Sequence, residues 1–99
     1  MKLYNVKILI TDSDILIRQI LTTRLTLLGY RVFFASNIKD ALVLLKKFKP
    51  QIVILDNIFI NLDQYGFYAK IKIDPNILLI LLIGINSIPH PKNNLDFGV

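Results

Sequence analysis

Apolar runs of strand length alternate along this chain with longer segments of helical period, and that alternation restricts the fold more than any other feature. Val6–Ile10, Arg31–Ala35, Ile52–Leu55 and Ile77–Ile83 read as strands. Between them Ile17, Ile20, Leu21, Leu25 and Leu28 recur at helical spacing, as do Ala41, Leu42, Leu44, Leu45 and Phe48. Strands alternating with helices imply a parallel sheet with crossover helices packed on it. Local signals agree: Gly29 supplies a left-handed stop to the first helix, Ser36 and Asn37 offer an N-cap to the second, and Pro50 ends it. Ile52–Leu55 and Ile77–Ile83 are apolar on both faces, which predicts strands buried between helix layers. A short third helix is expected over Asp63–Ile73, with Tyr65 and Tyr68 packing on its face, although Gly66 inside it costs about 1 kcal/mol relative to Ala.

The chain has 99 residues, enough for one domain. With 54% hydrophobic and 19% charged residues it carries ample apolar surface to offset the entropy of ordering. It has no cysteine, which excludes disulfides, thiolate metal sites and cysteine nucleophiles. The longest apolar stretch, Ile77–Ile85, is too short to span a bilayer, and Met1–Asn5 lacks the apolar region of a secretory leader. No membrane partner is expected, and the protein is expected to work where it is made. The net charge of +5 is scattered apart from Lys46, Lys47 and Lys49, which fall where a helix end favours cations. Abundant Ile, Leu, Asn and Lys with little Ala and Gly suggest an AT-rich genome such as a plastid's. His90, the one histidine, sits between prolines and reads as loop filler. No glycine-rich nucleotide-binding loop is present, so a cofactor enzyme on this fold is not expected.

Three passages from strand to helix place Asp12, Asp56 and Gly84 at the carboxyl ends of neighbouring strands. In open α/β sheets that edge is where ligands bind. The bland alternatives are that Asp56–Asn57 forms a turn and that Asp12, Ser13 and Asp14 cap the first helix.

These residues resemble the receiver domains of two-component response regulators, in particular the winged-helix transcription-factor class of cyanobacteria and red-algal plastids. The resemblance rests on Lys7-Ile-Leu-Ile-Thr-Asp12-Ser-Asp14, Thr23-Arg-Leu-Thr-Leu-Leu-Gly29-Tyr30, Ala35-Ser36 through Ala41-Leu42, Pro50-Gln-Ile-Val-Ile-Leu-Asp56, Leu62-Asp63 and Tyr65-Gly66. It covers about residues 6 to 85. It implies a flavodoxin-like, doubly wound α/β sheet of strand order 2-1-3-4, lacking the family's fifth strand and last helix. Residues 1–85 are then a shortened receiver domain and 86–99 an irregular tail. The resemblance further implies Asp56 as phosphoacceptor for a histidine kinase. Mg²⁺ would be held by Asp12, Asp56 and the backbone carbonyl of Ile58, with Ser13 or Asp14 as weaker ligands. No catalytic residue beyond these is implied, and no DNA binding by this chain itself, since it has no residues for a winged-helix output domain.

The sequence departs from the family pattern at several places. Ser13 replaces the second acid, and Ile83 replaces the Ser or Thr whose hydroxyl meets the phosphoryl oxygen at the switch position. Gln64 and Ile60 replace a glycine and a proline in the loop after Asp56, and the fifth-strand lysine has no counterpart. Each electrostatic element of such a site is typically worth a few kcal/mol. Three readings follow: a phosphoacceptor derived from a transcriptional regulator, a pseudo-receiver that only binds other proteins, or a gene remnant. Without a fifth strand, Ile77–Ile83 is expected to be an edge that pairs with another chain.

Overall fold

The computed structural model describes residues 5–61 and 63–83. The elements run β1 (Lys7–Thr11), α1 (Ile15–Leu27), β2 (Arg31–Ala35), α2 (Ile38–Phe48), β3 (Ile52–Asp56), α3 (Phe67–Lys72) and β4 (Leu78–Leu82), with short 3-10 turns at Asn57–Phe59 and Gln64–Gly66. The four strands form one parallel sheet in the order β2-β1-β3-β4. This is the doubly wound α/β arrangement expected.

Alternation along the strands sends side chains to two cores. Leu9, Ala35, Val53 and Leu55 pack with Ile38 and Ala41 of α2 and Phe67 and Ile71 of α3. Ile8, Ile10 and Ile54 form the opposite core, against Leu21 and Leu25 of α1. The helices therefore cover both faces, and β1 and β3 are buried between them.

The helix ends follow their sequence signals closely. Gly29 has φ 100°, a left-handed stop, and Asn37 rather than Ser36 caps α2, its side chain accepting from the Asp40 amide at 2.8 Å. The helix ends at Lys49, ahead of Pro50.

Four expectations are corrected. Helix α3 begins at Phe67, not Asp63, because Tyr65 and Gly66 both take positive φ and break the helical path. Asp63 acts instead from outside, accepting from the amides of Tyr68 at 2.7 Å and Ala69 at 3.3 Å, which satisfies two orphan donors of the first turn. Tyr65 is 71% exposed and joins neither core, whereas Tyr68 does pack on the core. On α1, Leu21 and Leu25 reach the core but Ile20 and Leu28 are exposed, because the described residues cover only one edge of its apolar stripe. Finally, β4 is not a buried strand. Leu78, Ile80 and Leu81 are exposed and only Leu79 and Leu82 join the cores, since among the described residues β4 is the sheet's outermost strand. The residues expected to form the irregular tail, 86–99, lie outside the described residues, as do Leu62, Gly84 and His90.

Candidate functional site

The carboxyl edge of the sheet brings Asp12 and Asp56 together. Strands β1 and β3 run in register from Ile8 opposite Ile52 to Thr11 opposite Leu55, so the residues that follow, Asp12 and Asp56, are neighbours. The Asp12 amide donates to the Ala35 carbonyl at 3.0 Å, which ties its backbone to β2 as well. Its carboxylate accepts from the Asp14 amide at 2.8 Å. Asp12 is 4% exposed, the most deeply placed acid of the site. Asp56 is half-buried, and its carboxylate accepts from the Ile58 amide at 3.1 Å. That bond opens the 3-10 turn Asn57–Phe59, so the turn former and the site acid are the same residue.

The other expected site residues are arranged around this pair. Ser13 is exposed in the turn between β1 and α1. Asp14 is the N-cap of α1, accepting from the amides of Leu16 at 2.9 Å and Ile17 at 3.4 Å, so the capping reading of this segment applies to Asp14. Ile58 lies two residues after Asp56, in the middle of the 3-10 turn. Ile83 is one residue beyond β4, whose Leu82 is registered with Asp56, and it is exposed. Among the described residues no three His, Cys, Asp or Glu side chains gather into a metal-binding group, so the acidic centre is a pair.

Burial pushes the Asp12 carboxyl above its ordinary value of 3.8, and the negative charge and hydrogen-bonding contact of Asp56 push it further, against the Asp14 amide that draws it down. The fold thus favours the protonated form of Asp12. The stability linked to that proton is complete below pH 3.8 and is lost as pH rises through the raised value. At neutral pH two carboxylates face each other with one buried, an arrangement a hard divalent cation would relieve by binding both.

Asp12→Asn keeps an oxygen for the Asp14 amide and removes the buried charge. It should stabilise the fold at neutral pH by on the order of 1 kcal/mol, with the gain fading as pH falls through the raised value of Asp12. Thermal melts across pH check this. A variant less stable than the wild type at neutral pH would contradict the repulsion between the two acids.

No family model matches the chain. Among curated proteins it is 36% identical over 92 residues to the "Probable transcriptional regulator ycf27" of Porphyra purpurea, covering 93% of this chain and 38% of that protein. It is 33% identical over 98 residues to the ycf27 regulator of Cyanophora paradoxa, covering 41% of it. The chain therefore spans well under half the length of these relatives. It is also 30% identical over 95 residues to the "Sporulation initiation phosphotransferase F" of Bacillus subtilis (strain 168), and there it covers 77% of the relative. Among solved structures, the signal receiver domain of a DNA-binding response regulator from Colwellia psychrerythraea 34H superposes with a TM-score of 0.69 at 32% identity, over 80% of this chain and 68% of that one. The chemotaxis response regulator CheY4 of Vibrio cholerae shares the fold at 23% identity, with a TM-score of 0.65 over 77% of this chain and 66% of that one. A parallel sheet of order 2-1-3-4, an acid at the end of β1 beside an acid at the end of β3, and this likeness over most of the length of a phosphotransferase and of a receiver domain place the chain in the receiver-domain family of two-component response regulators.

Proposed function

We propose that Asp56 is the phosphoacceptor of this receiver, taking a phosphoryl group from a histidine kinase, and that residues 1–85 form the unit that does so. The observation that carries the reading is the pairing of Asp56 with the buried Asp12 at the carboxyl edge of the sheet. With one Asp56 oxygen accepting from the Ile58 amide, the carboxylate is held in one orientation and its second oxygen is the nucleophile. That oxygen bonds to phosphorus as the donor's phosphorus–nitrogen bond breaks, and the imidazole leaves with the bond's electron pair.

Asp12, Asp56 and the Ile58 carbonyl are the groups that would hold Mg²⁺, with Ser13 or Asp14 at the rim. Bound there, the cation would neutralise the charge gathering on the phosphoryl oxygens. Asp12 keeps the buried site acidic, and the carboxylate pair draws a hard cation in preference to a soft one. The chain transfers no group onward in this reading; it is an acceptor rather than an enzyme.

Incubation with a small phosphodonor and Mg²⁺ is expected to add one phosphoryl group, labile in base, seen by intact-mass spectrometry. The absence of any adduct under saturating donor would overturn the reading. It would favour the pseudo-receiver alternative, which the exposed Ile83 supports, because isoleucine offers a phosphoryl oxygen no donor.

The ycf27 likeness supports derivation from a transcriptional regulator. The same relatives, together with a composition rich in Ile, Leu, Asn and Lys, support a plastid workplace. The partners inferred are a histidine kinase and a second copy of the chain, with no DNA and no membrane contact by these residues. No described helix is long and apolar enough to cross a membrane. The second copy is inferred from β4. Leu78, Ile80 and Leu81 are exposed on a strand without a single charge, an edge that templates pairing. Sedimentation should show concentration-dependent association, and a monomer throughout the micromolar range would refute this.

A further inference from the structure

At the opposite end of the sheet from Asp12 and Asp56, the carboxyl ends of α2 and α3 enclose a cavity of about 480 Å³. Leu45, Pro50, Ile71 and Ile77 supply apolar walls, and the exposed Lys46, Lys49 and Lys70 are its basic lining residues. Asp74 is the one acid that lines it, and its carboxylate accepts from the Asn76 amide at 2.8 Å. We propose that this cavity binds a small polyanion carrying a flat apolar group, of the nucleoside polyphosphate class. The size falls within the range of small-molecule sites, about 300–1,000 Å³, which combine apolar walls with a few placed polar groups.

Lysines near a helix carboxyl end normally serve the helix dipole. Lys46 and Lys70 sit in the last turns of α2 and α3 and serve it too, but at the end of α2 part of that service comes from β1. The α2 carbonyl of Phe48 accepts from the Lys7 ammonium at 3.1 Å, reaching across from β1. Lys47 lies over the Phe48 ring at 5.3 Å and Lys72 over the Tyr68 ring at 5.6 Å. The lysines that line the cavity are the remaining ones of the two helix ends.

Lys49 adds an independent argument. It holds φ 50° and ψ 61°, the left-handed region, immediately before Pro50. Glycine takes that conformation at no steric cost, and a residue before proline is pushed away from helical values. The turn itself therefore does not call for lysine, and the residue that occupies it is one that lines the cavity.

The test uses the full chain with EDTA, so that no divalent cation links the nucleotide to the acidic edge. Titration with ATP is expected to give saturable shifts in the amides of Gln51, Ile71 and Ile77. Adenosine lacks the charge and tripolyphosphate lacks the ring, and each is expected to bind about tenfold more weakly or worse. Lys49→Gly should weaken ATP binding by about three- to tenfold while its thermal midpoint stays equal or rises. Lys70→Gln should weaken binding similarly. Equilibrium dialysis with labelled ATP gives the same comparison where self-association broadens the resonances. Four results would overturn the proposal: no saturable binding, tripolyphosphate binding as tightly as ATP, shifts confined to the Asp12–Asp56 edge, or unchanged affinity in Lys49→Gly. None of them bears on phosphorylation of Asp56.

Discussion

Asp56→Asn should abolish phosphoryl incorporation from a small phosphodonor while leaving the protein folded. The Asp56 side chain accepts from the Ile58 amide, and an asparagine oxygen of the same shape keeps that bond and the turn it opens. What the substitution removes is the nucleophile, because an amide nitrogen's lone pair is delocalised into its carbonyl and does not attack phosphorus. It also removes one of the two negative charges that face each other at the end of β1 and β3, so Asp12 should titrate closer to its ordinary value. The expected result is thus a loss of the one-phosphoryl mass increment to below detection, with a thermal midpoint equal to or above that of the wild type at neutral pH. Labelling of Asp56→Asn to the wild-type level would move the acceptor to another residue and end the case for Asp56. Unfolding of the variant would show that the carboxylate charge itself holds the turn, against the geometry described.

The largest loss of stability is expected from Phe67→Ala, about 3–5 kcal/mol. Phe67 is the largest of the fully buried side chains. It opens α3 directly after the positive-φ pair Tyr65 and Gly66, and it joins a core that draws on three strands and two helices. Truncation removes its ring from contact with that core and leaves a void that close-packed neighbours fill only in part. A small domain has total stability of about 5–15 kcal/mol, so the loss is a large share of it. The consequence reaches the site through Asp63, which ties the amides of Tyr68 and Ala69 to the loop that follows Asp56. Urea unfolding of the two proteins checks the magnitude. A difference below about 1 kcal/mol would mean that α3 adds little to the core.

Much of this was legible in the residues themselves. Strand-length runs and helical periods gave the order of elements, since period and length are local properties that a packed sheet merely collects. Gly29 and Asn37 sat at the helix boundaries they signalled, because a left-handed stop and a side-chain cap are each decided within a few residues. The third helix was misjudged at its start for a related reason. Gly66 was read as a weak helical residue, whereas it and Tyr65 turn the chain, and Asp63 caps α3 from a distance that no short-range pattern shows.

The pairing of Asp12 with Asp56 belongs to both levels. Their places at strand ends were visible in sequence, and their adjacency in space depends on β1 and β3 being neighbours in register. The roles of Asp12 and Asp14 separated only in the folded chain. Asp12 became the buried acid, and Asp14, two residues on, became an exposed cap, because the backbone turns into α1 between them. For β4 the apolar run alone pointed to a buried strand, since such a run looks the same in a central strand and at an edge, and the exposed edge followed only from the expected lack of a fifth strand. Periodicity determined that this chain forms a parallel sheet with crossover helices and acids at its carboxyl edge, and the family resemblance added the doubly wound order. Which acid is buried and which lysines meet around one cavity were decided by tertiary packing, since each depends on residues far apart in the chain.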